Sequence, residues 1–135
     1  MKYVSGINAL NLSCSLDTCG DWHQSSLNWS QLDLRESDGS LWGNYGIEDN
    51  SHIPENPGTH KVANHIRALL DLLHDGNTAV AQGMRDQYIC NDEYTEEIFG
   101  KVTYMKDMPI WPLIDDFMGK EYYSKWLRYK ERHKL

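Results

Sequence analysis

The chain has 135 residues, of which 40% are hydrophobic and five are Trp, and its formal charge is −7. That is enough apolar material for a domain with its own core, and it excludes a disordered chain. The acidic balance works against non-specific binding to nucleic acid or an acidic membrane, and no run approaches the ~18 apolar residues of a membrane span.

Residues 3–12 mix apolar and polar positions around Gly6 and predict an opening strand. Residues 13–28 have no period and read as a structured loop, with a short helical turn after Thr18. Leu32 and Leu34 then alternate with Asp33 and Arg35. Asp38-Gly39 is a strong turn signal, and Leu41, Trp42, Tyr45 and Ile47 come next. Residues 29–37 and 40–48 are therefore expected to pair as an antiparallel hairpin, with Gly39, Gly43 and Gly46 as its glycines. Residues 49–58, with Pro54, Asn56, Pro57 and Gly58, read as a loop.

The clearest pattern is residues 61–74. Val62, Ile66, Leu69, Leu70 and Leu73 recur on one helical face, and Ala68 and Leu72 widen it. Thr59 is the expected N-cap and Gly76 the glycine that closes the helix. Arg67, Asp71 and Asp75 fall on or near the other face and are expected in water. A second helix is predicted from Asn77-Thr78 to Ile89. A third starts at Asn91-Asp92, puts Tyr94, Ile98, Val102 and Met105 on one face, and ends at Met108-Pro109. A fourth starts near Trp111-Pro112 and draws on Leu113, Phe117, Tyr123, Trp126 and Leu127, with Gly119 as its expected break. The fold class is α+β in one domain, residues 1–135. A β- and loop-rich half, residues 1–58, carries a small antiparallel hairpin region, which packs on three to four helices from residues 59–135.

The densest polar cluster is Cys14-Ser-Leu-Asp-Thr-Cys19-Gly-Asp-Trp-His23. Cys14, Cys19 and His23 are the metal candidates, with His52, His60 or Cys90 to complete a tetrahedral zinc site. Four residues separate Cys14 from Cys19, the upper end of a zinc-knuckle spacing, and no second pair occurs further on. If the chain is an enzyme, Cys19 and His23 are the catalytic candidates, Cys19 as a thiolate near a helix start, with His52, His60 or His65 as other bases. Buried, inert thiols are the favoured reading of the same residues, so no catalytic residue, metal or cofactor is assigned. Three cysteines, an odd number, argue against a disulfide framework. The first residues lack the apolar run of a signal peptide. Reduced thiols and a cytoplasmic location are expected.

Trp22 with Trp29 and Trp42 reads first as core and second as an aromatic pocket. His65 reads as a half-buried histidine with its hydrogen bonds satisfied. No phosphate loop or dinucleotide fingerprint occurs. Charge is uneven: residues 120–135 hold six Lys/Arg and two Glu, net +4, against −11 for the rest. Tyr122, Trp126 and Tyr129 fall at helical spacing there. An aromatic stripe of that size is expected to dock, on its own body or on a partner, with Lys130, Arg132 and Lys134 left free. Basic and aromatic residues together also suit single-stranded nucleic acid, which the overall charge disfavours.

The run from Ala9 to His23 resembles the opening of a group of small uncharacterised bacterial proteins. The resemblance continues through Tyr45-Gly-Ile-Glu48, Val62-Ala-Asn-His-Ile-Arg-Ala-Leu-Leu70 and Ile89-Cys-Asn-Asp-Glu93. It implies mobile-element or defence-related gene clusters and an antitoxin-like or accessory role, and it transfers no catalytic residue. The sequence reading is thus a cytoplasmic protein-binding module, with Trp22, Trp42, Trp126, Arg128, Lys130 and Arg132 as partner-binding candidates. A Cys/His metal protein or thiol enzyme is the alternative, and a nucleic-acid binder through the C-terminal helix the third reading.

Overall fold

The computed structural model describes residues 1–19 and 27–135. The chain is α+β. Its strands are β1 (Lys2–Val4), β2 (Leu34–Glu36), β3 (Ile47–Asn50) and β4 (His60–Ala63), with the short helix α1 (Gly6–Leu10) after β1. The helical half holds α2 (His65–His74), α3 (Thr78–Ala81), a π-helical turn Arg85–Ile89, α4 (Thr95–Val102), α5 (Trp111–Tyr122) and α6 (Ser124–His133).

The sheet order is β2-β1-β4-β3. β1 runs antiparallel to β2, from Lys2 opposite Glu36 to Val4 opposite Leu34. It meets β4 in parallel at Val4 opposite Val62. β4 pairs antiparallel with β3, from Ile47 opposite Ala63 to Asn50 opposite His60. The expected hairpin of residues 29–37 with 40–48 is therefore not the pairing adopted, because β2 and β3 lie at opposite edges. The segment between them coils onto the helices instead. Trp42 donates its Nε1–H to the Lys101 carbonyl at 2.9 Å, and Arg67 Nη1 reaches the Gly43 and Tyr45 carbonyls at 2.8 Å each. The expected opening strand is likewise cut short at Val4, where the chain turns into α1.

α2 is the centre of the molecule. Its N-cap is Asn64, not Thr59; the Asn64 side chain accepts from the Arg67 backbone N–H at 2.9 Å. The residues before it belong to β4. At the other end Gly76, with φ +76°, gives its N–H to Leu73, and Asn77 bonds back to Leu72, the paired closure that only a left-handed residue allows. Every residue from His65 to Leu73 is buried, as a helix covered on all sides must be.

Arg67 and Asp71 are therefore not in water: they are 0% and 5% exposed. All five guanidinium N–H groups have an acceptor. Nε bonds Asp71 Oδ1 at 3.1 Å, Nη1 the two carbonyls above, and Nη2 Tyr3 Oη at 3.0 Å and Ser40 Oγ at 3.2 Å. Asp71 Oδ2 in turn accepts from Tyr3 at 2.7 Å and Ser5 at 2.6 Å. β1, α2 and the 40–45 segment are thereby locked together. Gly46 lets the chain pass close: with φ +74°, a Cβ there would lie 2.7 Å from Arg67 Cβ.

α4 buries Ile98, Phe99 and Val102. α5 and α6 meet at Tyr123, not Gly119; Tyr123 has φ +52° and ψ −124°. Gly119 lies inside α5, where a Cβ would meet Trp126 Cδ1 at 4.0 Å, an ordinary contact. Trp126 is 0% exposed, bonds Asp115 Oδ1 through Nε1 at 2.8 Å, and lies edge-on to Phe99. Tyr122 and Tyr129 are buried with it. The aromatic stripe thus docks on its own chain. Leu113, Tyr123 and Leu127, expected to feed that core, are exposed.

Candidate functional site

The site grows out of the start of α2. Asn64 caps the helix, so the next residue, His65, stands on its first turn. His65 is 1% exposed, yet both ring nitrogens are engaged. Nε2 lies 2.7 Å from the Leu12 carbonyl oxygen and Nδ1 lies 2.6 Å from Thr18 Oγ1. A carbonyl can only accept, so Nε2 carries a hydrogen. In the neutral ring Nδ1 is then the acceptor, and the Thr18 hydroxyl donates to it. Thr18 Oγ1 is 3.6 Å from Cys14 Sγ. The order Sγ–H, Oγ–H, Nδ1 forms a path along which a proton can leave the thiol for the imidazole.

The electrostatics agree with that path. Burial pushes the Cys14 thiol up, but the His65 ring and the Thr18 hydroxyl outweigh it, so the thiol lies below its ordinary value. Burial pushes the His65 imidazolium down, and the Cys14 side chain with the Leu12 carbonyl outweighs that, aided by the Glu48 charge; the ring lies above 6.5. The positive N-terminal end of α2 favours a thiolate near it and opposes a charge on His65, which stands on that turn. Both shifts run in the direction that eases transfer of the thiol proton to the imidazole.

The loop carrying Cys14 and Thr18 is held at both ends. Ser15 gives its backbone N–H and hydroxyl to the Glu48 carboxylate at 2.8 and 2.6 Å. Asn50 Nδ2 reaches the Ser13 carbonyl at 3.2 Å. On the far side Cys19 N–H bonds the Tyr88 carbonyl at 3.1 Å, and Asn91 Nδ2 the Asp17 carbonyl at 2.9 Å. Two clefts flank the thiol. One, about 360 Å³, is lined by Leu16, Thr18, Cys19 and His65 as well as Cys14. The other, about 720 Å³, adds Ser15, Glu48 and His52.

The cysteines depart from expectation. Cys19 and Cys90 form a disulfide with Cα atoms 6.1 Å apart, across 71 residues of sequence. An odd count leaves room for one pair and a free thiol, and the free thiol is Cys14. Cys19 in this state is neither a nucleophile nor a metal ligand. His23 and Trp22 lie outside the described residues. Among the described residues no group of three or more His, Cys, Asp or Glu is placed to hold a metal ion. The Cys14–His65 pairing, and Thr18 between them, were not singled out by spacing, since they are joined across the fold. The available signal was a histidine directly after a helix-capping Asn.

The partner-binding candidates scatter. Trp42 and Trp126 are core residues, at 7% and 0% exposed. Lys130 and Arg132, expected to be free, pair with Asp115 and Glu96, each at 2.8 Å. Arg128 lines a groove of about 620 Å³ between α4 and α6, with Asp92, Phe99, Lys125 and Glu131. Among the described residues no helix is long and apolar enough to cross a membrane.

No protein-family model matches the chain. No curated protein and no solved structure matches it.

Proposed function

We propose that the protein acts through a reactive thiol, with Cys14 as nucleophile, His65 as the base that takes its proton, and Thr18 as the hydroxyl that joins them. The observation that carries this reading is the short chain of contacts from Cys14 Sγ through Thr18 Oγ1 to His65 Nδ1, with Nε2–H pinned by Leu12. A nucleophile within reach of a base, itself oriented by a third group, is the arrangement that thiol catalysis requires. The thiol borders two clefts, so an electrophile can reach it. The reading keeps the cytoplasm as the working compartment. There a solvent-exposed disulfide such as Cys19–Cys90 opens and closes instead of persisting.

Thiol-reagent labelling at neutral pH tests it. Cys14 should react faster in the native chain than in the unfolded, still disulfide-linked chain, and Thr18→Val should slow it. Slower labelling in the native state would mean an inert, half-buried thiol and would end this reading.

A second reading, docking on another protein in an antitoxin-like or accessory role, is favoured by one observation. Leu113, Tyr123 and Leu127 are 43%, 68% and 53% exposed on α5, at the α5–α6 corner and on α6. Leu127→Glu should then weaken association, including any self-association seen by sedimentation, without moving the melting temperature.

A further inference from the structure

We infer that the electrophile taken by Cys14 is a disulfide sulfur, and that its first substrate is the chain's own Cys19–Cys90 bond; this rests on the nucleophile reading above. Three observations converge on it. Cys14 and Cys19 line the same cleft of about 360 Å³, with Thr18 and His65 in its wall. Cys19 and Cys90 are both exposed, and exposed disulfides belong to the labile, exchanging class. Cys14 is the free thiol in the cleft that Cys19 lines, and the His65 ring and Thr18 hydroxyl hold it below its ordinary value.

The step balances without an added oxidant or reductant. Cys14 gives its proton through Thr18 to His65 Nδ1. The thiolate attacks Cys19 Sγ, forming the Cys14–Cys19 bond and breaking Cys19–Cys90. The electron pair leaves on Cys90 Sγ, which is exposed and takes a proton from solvent. One thiol and one disulfide are present before and after. Exchange frees the end of the Arg85–Ile89 turn, where Cys90 sits in a left-handed conformation, φ +42°. It also presents a fresh thiol at the surface, ready for a protein or small-molecule disulfide.

Disulfide mapping of the full chain tests this. The Cys19–Cys90 form is held at neutral pH, quenched in acid denaturant with N-ethylmaleimide, and digested with trypsin. Cys14 and Cys19 share the tryptic peptide 3–35, and Cys90 lies in 86–101. The expected result is a population with 3–35 internally oxidised and Cys90 blocked by maleimide, appearing faster as pH rises and lost in Cys14→Ser. The exchange is overturned if 86–101 stays linked to 3–35 in every chain, if Cys19 rather than Cys90 is released, or if Cys90 is blocked equally in Cys14→Ser. Fast labelling of Cys14 with Cys90 untouched overturns the exchange and leaves the nucleophile reading standing. Slow labelling of Cys14 overturns the nucleophile reading, and the linkage map still decides the exchange.

Discussion

His65 is buried and doubly hydrogen-bonded, which by itself describes an ordinary core histidine. Its distinction is that one of its partners leads to a thiol. The consequence can be read by titration. Its folded pKa is raised above 6.5, so the native state holds this proton more tightly than the unfolded chain does. Its contribution to stability is full below about pH 6.5 and is lost as pH rises through the folded value. Cys14 runs the other way: its folded pKa is lowered, so its contribution is full above the ordinary thiol value of about 8.5 and is lost as pH falls. An NMR titration should place the His65 midpoint above 6.5, and Cys14→Ser should lower it; a midpoint indifferent to Cys14→Ser would separate the two groups. Arg67 makes the same point about context. Arg67 and Asp71 at i and i+4 look in sequence like a surface ion pair, and surface substitutions usually cost within about 0.5 kcal/mol. Buried, the pair behaves differently. Arg67→Met should cost about 3–5 kcal/mol in chemical denaturation, because it leaves the Asp71 carboxylate charged and without its cation. Neither role was legible in the sequence, since the acceptors of Arg67 come from Tyr3, Ser40, Gly43 and Tyr45, all far along the chain.

Among the elements, α2 was legible because its signal is local: an apolar stripe, a closing glycine and a length suited to burial. Its first turn was misplaced because Val62 serves a strand as well as it serves the stripe. The pairing of β2 and β3 was not legible. The turn at Asp38-Gly39 exists, but residues 40–45 beyond it are drawn to α2 and α4 by Trp42 and by the carbonyls of Gly43 and Tyr45. A strand partner is chosen by such distant contacts, not by the turn alone. The thiol site shares this limit: the Cys14 loop is set by Glu48, Tyr88 and Asn91, which periodicity does not connect. At the α5–α6 corner the aromatic spacing was informative, and the outcome is measurable. Trp126→Ala removes a fully buried indole packed on Phe99 and Tyr129. It should cost about 3–5 kcal/mol with no change of oligomeric state by sedimentation. An unchanged melting temperature would contradict internal docking of α6.

For the molecule as a whole, the acidic body and basic C-terminus resolve into internal pairing. Lys130 with Asp115 and Arg132 with Glu96 tie α6 to α5 and α4. The second long-range tie is covalent. Cys19–Cys90 closes 71 residues of chain, and a loop of that order typically contributes about 2–4 kcal/mol through the unfolded state. Reduction should lower stability by about that amount while the Arg67 network keeps the fold. Unfolding on reduction at room temperature would mean that the disulfide, and not the buried network, is the main constraint. These ties leave Cys14 as the free thiol in a molecule that is otherwise locked around it. The most direct test of the central claim is therefore the pH dependence of Cys14 alkylation by iodoacetamide in the native, disulfide-linked chain. The expected result is a sigmoid whose midpoint lies below that of Cys14 in the unfolded, disulfide-linked chain and moves upward in Thr18→Val. A midpoint at or above that value, or one that Thr18→Val leaves in place, would contradict it.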